Sequence, residues 1–164
     1  MSNTDNRHFA FTIKYNCKQS SLRSEATIQY NGKQYRGTAL WDTGASTSCI
    51  SRNVVSALEL IPTGKASINT ASSATDCCTY LVDIILPNNV RIPNVKVCDT
   101  VIDLQGLSLL IGMDIIGAGD LSVSGYNGKT SFSFCIPPKR FTDYVIMINT
   151  EKLIGTHGKG KRKK

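Results

Sequence analysis

Ala39-Leu40-Trp41-Asp42-Thr43-Gly44-Ala45-Ser46 is the stretch from which the rest of this chain is best read. An apolar run delivers one carboxylate, Asp42, to a turn at Gly44, where the missing Cβ lets other backbone approach closely. Alone, Asp-Thr-Gly is a weak signal: at equal residue usage it arises by chance in about 2% of chains of this length. An Asx-type turn at a strand end would explain the aspartate and the glycine. It would not explain Leu40 and Trp41 ahead of them, nor the apolar strand that returns downstream at Leu109.

Working outward, the pattern is mostly β. Lys33 to Leu40 reads as the strand that runs into Asp42, and Glu25 to Tyr30 as its partner across Asn31-Gly32, a strong hairpin signal. His8 to Cys17 alternates, with Phe9, Phe11, Ile13 and Tyr15 on one face. After the loop, Ser46 to Ile50 restarts a strand. Arg52 to Leu60 has apolar residues at helical spacing and Pro62 behind it. Ala66 to Thr70 and Thr79 to Leu86 read as arms of a longer hairpin, and Pro87-Asn88-Asn89 turns the chain into Val90 to Val97. Leu109-Leu110-Ile111 is a short apolar strand, Met113 to Ile116 a helical turn, and Leu121 to Ser124 with Thr130 to Ile136 a last hairpin around Asn127-Gly128. Thr142 to Thr150 is expected to add one more strand, at an interface. No internal repeat is present.

The first segment, followed after a hairpin by Leu109-Leu110-Ile111-Gly112-Met113-Asp114-Ile115-Ile116, resembles the retropepsin family and its bacterial relatives, over about Glu25 to Ile136. The resemblance implies an all-β fold: a closed β-barrel of the acid-protease type, with one or two short helices, working as a two-fold homodimer. It makes Asp42 the catalytic aspartate. Thr43 becomes the residue whose hydroxyl reaches the partner's active-site loop, Gly44 the tight turn, and Ile111 and Gly112 the strand that supports the loop. Asp114 is implied as structural. Asn69 to Cys78 falls where a substrate-covering flap belongs. Thr70, Ala71, Ser72 and Ser73 are therefore candidate substrate contacts, together with Ala45, Ser46, Ile68 and Ile84. The sequence departs from retroviral relatives in having no glycine between Gly64 and Gly106, which implies a flap that is stiffer, shorter or differently closed. The extension after Ile136 is not explained by the resemblance.

Chemistry gives a separate reason for a dimer. Hydrolysis by this route needs one carboxylate as general base and one protonated carboxyl as general acid. Two carboxylates about 3 Å apart cannot both ionise and share a proton. The chain has no second Asp-Thr-Gly or Asp-Ser-Gly, so the partner carboxylate must come from a second copy across a two-fold axis. Rival chemistries are poorly served. The only histidines, His8 and His157, lie near the termini, and no G-x-S-x-G occurs. Gly155 to Lys161 nearly matches a phosphate-binding loop, but Arg162 replaces the required Ser or Thr. No cofactor or metal is expected. The alternative function is a catalytically silent, protease-like dimeric module that binds peptide or nucleic acid.

Composition bounds the remainder. The 164 residues suit one domain, and 41% hydrophobic residues can build a core. The six cysteines show no C-x-x-C pair, so a zinc site has little support. Reduced thiols are expected, with one of Cys77 and Cys78 facing inward. The formal net charge is +7, and Glu151 to Lys164 holds +5 of it, through six cations against Glu151. The expected organisation is a protease domain over residues 1–150 and a basic, flexible tail over 151–164. The tail offers a weak route to nucleic acid. A polypeptide substrate, a cytoplasmic location and no membrane association complete the expectations.

Overall fold

The computed structural model describes residues 7–69, 74–103 and 106–157. Its strands are β1 (Phe9–Lys14), β2 (Leu22–Tyr30), β3 (Lys33–Trp41), β4 (Cys49–Ser51), β5 (Gly64–Asn69), β6 (Ala74–Ile85), β7 (Arg91–Thr100), β8 (Leu109–Ile111), β9 (Asp120–Ser124) and β10 (Ser131–Ile136). The helices are α1 (Arg52–Leu58), α2 (Met113–Ile116) and α3 (Tyr144–His157).

Six strands close into a barrel in the order β2-β3-β8-β4-β7-β6, and a β6–β2 pairing completes the ring. At that seam Ile28 stands opposite Ile84, and neither has exposed surface. β5 hangs outside the ring on β6, forming the expected hairpin. A second sheet, β1-β10-β9, covers one side of the barrel with Phe11, Phe132 and Phe134 packed inward. Both Asn-Gly pairs turn as the sequence suggests: Asn31 and Gly32, and again Asn127 and Gly128, hold positive φ. α1 starts on Ser51, whose hydroxyl accepts the Val54 N–H at 3.3 Å.

The core follows from strand alternation. Ser24, Ala26 and Ile28 of β2 point inward, as do Ala39 and Trp41 of β3, to meet Val82, Ile84, Val97, Leu109 and Ile111. The adjacent cysteines point to opposite faces, but neither turns outward: Cys77 is buried with Cys49 and Cys98, and half-buried Cys78 packs against the main core, because both faces of β6 are covered here.

One element differs in kind. Thr142 to Thr150 does not form a strand; α3 occupies this region and runs on past residue 150. The reason is Asp143. Its carboxylate accepts the Val145 and Ile146 N–H groups at 2.8 and 3.1 Å. Its carbonyl accepts Met147 N–H at 3.0 Å. A carboxylate in this position satisfies amide donors that a helix start leaves orphaned, and so favours helix over strand. Among the described residues, no helix is long and apolar enough to cross a membrane.

Candidate active site

Asp42 hangs from a well-anchored strand end. β3 and β8 run parallel, with Trp41 opposite Ile111. The Asp42 N–H continues this ladder by one step, donating to the Ile111 carbonyl at 2.9 Å. Trp41 is buried, and its indole N–H donates to the Ser24 hydroxyl at 2.9 Å. Its ring lies 4.9 Å from Phe134 and 5.7 Å from Phe11 and Phe132, which ties the strand end to the second sheet.

Beyond Asp42 the chain turns tightly. Ala45 N–H donates to the Asp42 carbonyl at 3.2 Å, and Gly44 N–H to Asp42 Oδ1 at 2.9 Å. The carboxylate is thus aimed by a backbone donor. Asp42 and Ala45 are half-buried, whereas Thr43, Gly44 and Ser46 are exposed, so the loop tip is open for a partner surface. Among the described residues, no hydrogen bond reaches the Thr43 hydroxyl.

The loop rests on the β8–α2 junction. Met113 N–H donates to the Ala45 carbonyl at 2.8 Å. A Cβ on Gly112 would lie 2.9 Å from the Ala45 carbonyl oxygen and from Thr47 backbone carbon, so only glycine lets the two segments touch. Ser48, without exposed surface, is the hub. Its hydroxyl accepts Gly112 N–H at 3.0 Å and donates to Asp114 Oδ1 at 2.7 Å, while its N–H donates to Asp114 Oδ2 at 3.0 Å. Asp114 is therefore engaged in holding the loop. Ser48 is a supporting residue that sequence reasoning missed. Nothing local marks it out from the neighbouring Ser46 and Thr47 hydroxyls, and its partners lie 64 and 66 residues away.

The expected substrate contacts fare differently. Ala45 and Ser46 stand on the loop, beside Asp42. Ile84 belongs to the barrel core, with no exposed surface, and lines no open cleft: its strand alternation turns it inward at the β2–β6 seam. Thr70, Ala71, Ser72 and Ser73 lie outside the described residues. Ile68 lies in β5, opposite Thr75 of β6.

The buried thiols are unsuited as nucleophiles. Cys49, Cys77 and Cys98 cluster behind the loop, with Leu110 packed on them. Burial pushes the thiols of Cys49 and Cys77 up to about 11 and raises Cys98 as well, so all three are protonated and unreactive near neutral pH. His8 bonds the Pro137 carbonyl at the far end of β1. Among the described residues, no group of three His, Cys, Asp or Glu side chains is placed to hold a metal ion.

Comparison with known structures agrees with this architecture. A retropepsin-like aspartic protease from Rickettsia conorii superposes with a TM-score of 0.53 at 14% identity, over 79% of this chain and 96% of that one. The EIAV protease, solved with an inhibitor, gives 0.46 at 20% identity over 64% of this chain and 92% of that one. The protease of simian foamy virus gives 0.44 at 18% identity, over 58% and 92%. The first establishes a shared retropepsin-like fold. No curated protein sequence matches the chain significantly. The family model described as gag-polyprotein putative aspartyl protease matches residues 26–118, from β2 to just past α2, and since that is more than half of the chain, this protein belongs to that family.

Proposed function

We propose that the chain is an active aspartic endopeptidase, in which Asp42 meets the partner's Asp42 across a two-fold axis. The observation that carries this reading is the placement of Asp42: a half-exposed carboxylate, oriented by Gly44 N–H, at the open tip of a loop clamped from below. A purely structural aspartate would not need an open position on so firm a support.

In the dimer the two carboxylates share one proton. The ionised one takes a proton from water, which attacks the scissile carbonyl carbon. The protonated one hydrogen-bonds the carbonyl oxygen and stabilises the tetrahedral intermediate. A proton then passes to the leaving nitrogen and the peptide bond breaks. The substrate is an extended polypeptide that pairs with the flap hairpin through its backbone, as added strands do. Ala45 and Ser46, next to the carboxylate, contact its side chains. Residues 1–150 supply the catalytic fold, and Gly155 to Lys164 is dispensable for chemistry on a small neutral peptide. Free thiols, three of them clustered, suit a reducing compartment such as the cytoplasm.

Asp42→Asn tests the assignment, because an amide cannot act as general base. Peptide cleavage should fall at least ~10³-fold, about 4 kcal/mol in the barrier, with the fold preserved. Near wild-type turnover by the folded variant would sink the reading.

A further inference from the structure

The C-terminal segment leaves an unusual surface. Phe141 is 87% exposed and Val145 68%, and Tyr144, Ile146, Met147 and Ile148 are exposed too. Because α3 opens with five apolar residues in succession, Tyr144 to Ile148, apolar side chains point in every direction around its first turns. A helix of that kind is stable where it is covered on all sides. The chain itself leaves all of it exposed: Phe141, Tyr144 and Met147 border a groove of about 800 Å³ against β1, β9 and β10 without being buried by it, and Val145, Ile146 and Ile148 lie outside it. Together the exposed groups amount to several hundred Å² of apolar surface. Monomers rarely leave such a patch uncovered, and a stable interface buries about 800 Å² per partner.

We propose that a second copy of this chain covers this face, so that α3 clasps the homodimer. The inference rests on the proposed dyad: one chain offers one Asp42, so a functional site already requires a second copy. A two-fold contact uses the same patch twice, and one apolar helix thereby supplies both halves of the interface. A membrane surface fits less well. A helix lying in a lipid interface keeps one strongly polar face, and the first turns of α3 have none.

The test uses the full chain carrying Asp42→Asn, which removes self-cleavage. Dimer dissociation constants are measured by sedimentation for this protein, for V145E/I146E added to it, and for Val145→Leu added to it. The glutamates should weaken the dimer at least ~tenfold, and leucine should leave it unchanged. Should the glutamate variant fail to fold, hydrogen exchange on the Asp42→Asn protein decides: amides 146–150 should gain protection as concentration carries it from monomer to dimer. An unchanged dissociation constant, or exchange in α3 that ignores concentration, overturns the clasp and leaves the dyad standing. So does a monomer at every concentration in which α3 instead gains protection on anionic vesicles. A proven monomer of the wild-type chain that cleaves peptide overturns the dyad, and with it the reason for the clasp.

Discussion

Ser48 shows how much the active-site loop depends on one buried hydroxyl. It receives Gly112 N–H and gives its proton to Asp114, linking the loop to the β8–α2 junction. Ser48→Ala leaves Gly112 N–H buried without an acceptor and deprives Asp114 of a donor. We expect a loss of about 2–3 kcal/mol in unfolding free energy. We also expect a fall of roughly tenfold or more in kcat with KM little changed, because small displacements of a reacting group are costly. Urea melts and steady-state kinetics would show this, and Ser48→Thr should restore most of both. Equal kinetics in Ser48→Ala would mean that the loop stands without this link. Asp42 and Gly44 stood out in the sequence because their types answer local demands, a carboxylate and a tight turn; Gly112 was picked out only through the family resemblance, and its physical reason, a close backbone approach, lies in the fold. Ser48 did not stand out, because a serine's role depends on what lies across from it, and its partners are remote in the chain. Ile84 was misplaced for a related reason. Strand periodicity gives two faces, but only the barrel closure decides which of them is inside.

The strands and hairpins could be read because their signals are short-ranged, whereas α3 was mistaken because its apolar run lacks a period and its deciding residue, Asp143, lies just ahead of it. The bulge in β6 was equally hidden. Register shifts between Val82 and Ile84, and Asp83 sits at the shift. Its carboxylate accepts Asn94 N–H at 2.9 Å and two donors from Arg91, stapling β6 to β7 where the ladder is irregular. The Asn94 amide above all holds its pKa below the usual carboxylate value; desolvation opposes it next in strength, and the Arg91 hydrogen bond and charge add to the lowering. A depressed folded pKa stabilises above the unfolded value of ~3.9, and that stability disappears as pH falls through the folded value. Asp83→Asn should therefore cost about 1 kcal/mol at neutral pH, a drop of roughly 2–4 °C in Tm, with the ion pair discounted for solvent screening. The deficit should shrink as pH drops below the unfolded value and through the lower folded one. Thermal melts of both proteins across that range give the answer. A gap that persisted undiminished in acid would show that Asp83 acts through its shape and not its charge.

On the scale of the molecule, the barrel is a ring whose parallel contacts, β3 with β8 and β4 with β7, join segments far apart in sequence. No local pattern specifies those pairings; only the paired motifs around Asp42 and Gly112 pointed to them. The ring presents one Asp42 loop, and under the proposed mechanism a single carboxylate is only half of what the chemistry needs. Activity should accordingly depend on enzyme concentration. Well below the dimer dissociation constant, specific activity should rise in proportion to concentration, and well above it, level off. Thr43 gives this prediction a handle. It is exposed at the tip of the loop, and among the described residues its hydroxyl has no hydrogen-bond partner, which suits a contact completed only by the partner's loop. Thr43→Ala removes a hydroxyl from each copy, at ~0.5–1.5 kcal/mol per lost hydrogen bond. The half-maximal concentration should shift upward by about five- to 150-fold, since two symmetric bonds are lost. The plateau should move much less, because the carboxylates remain. Initial rates on one peptide across a wide range of enzyme concentration measure both quantities. If wild type and Thr43→Ala share one curve, Thr43 does not join the loops. If specific activity stays constant down to concentrations at which sedimentation finds only monomer, the second carboxylate comes from somewhere other than a second copy.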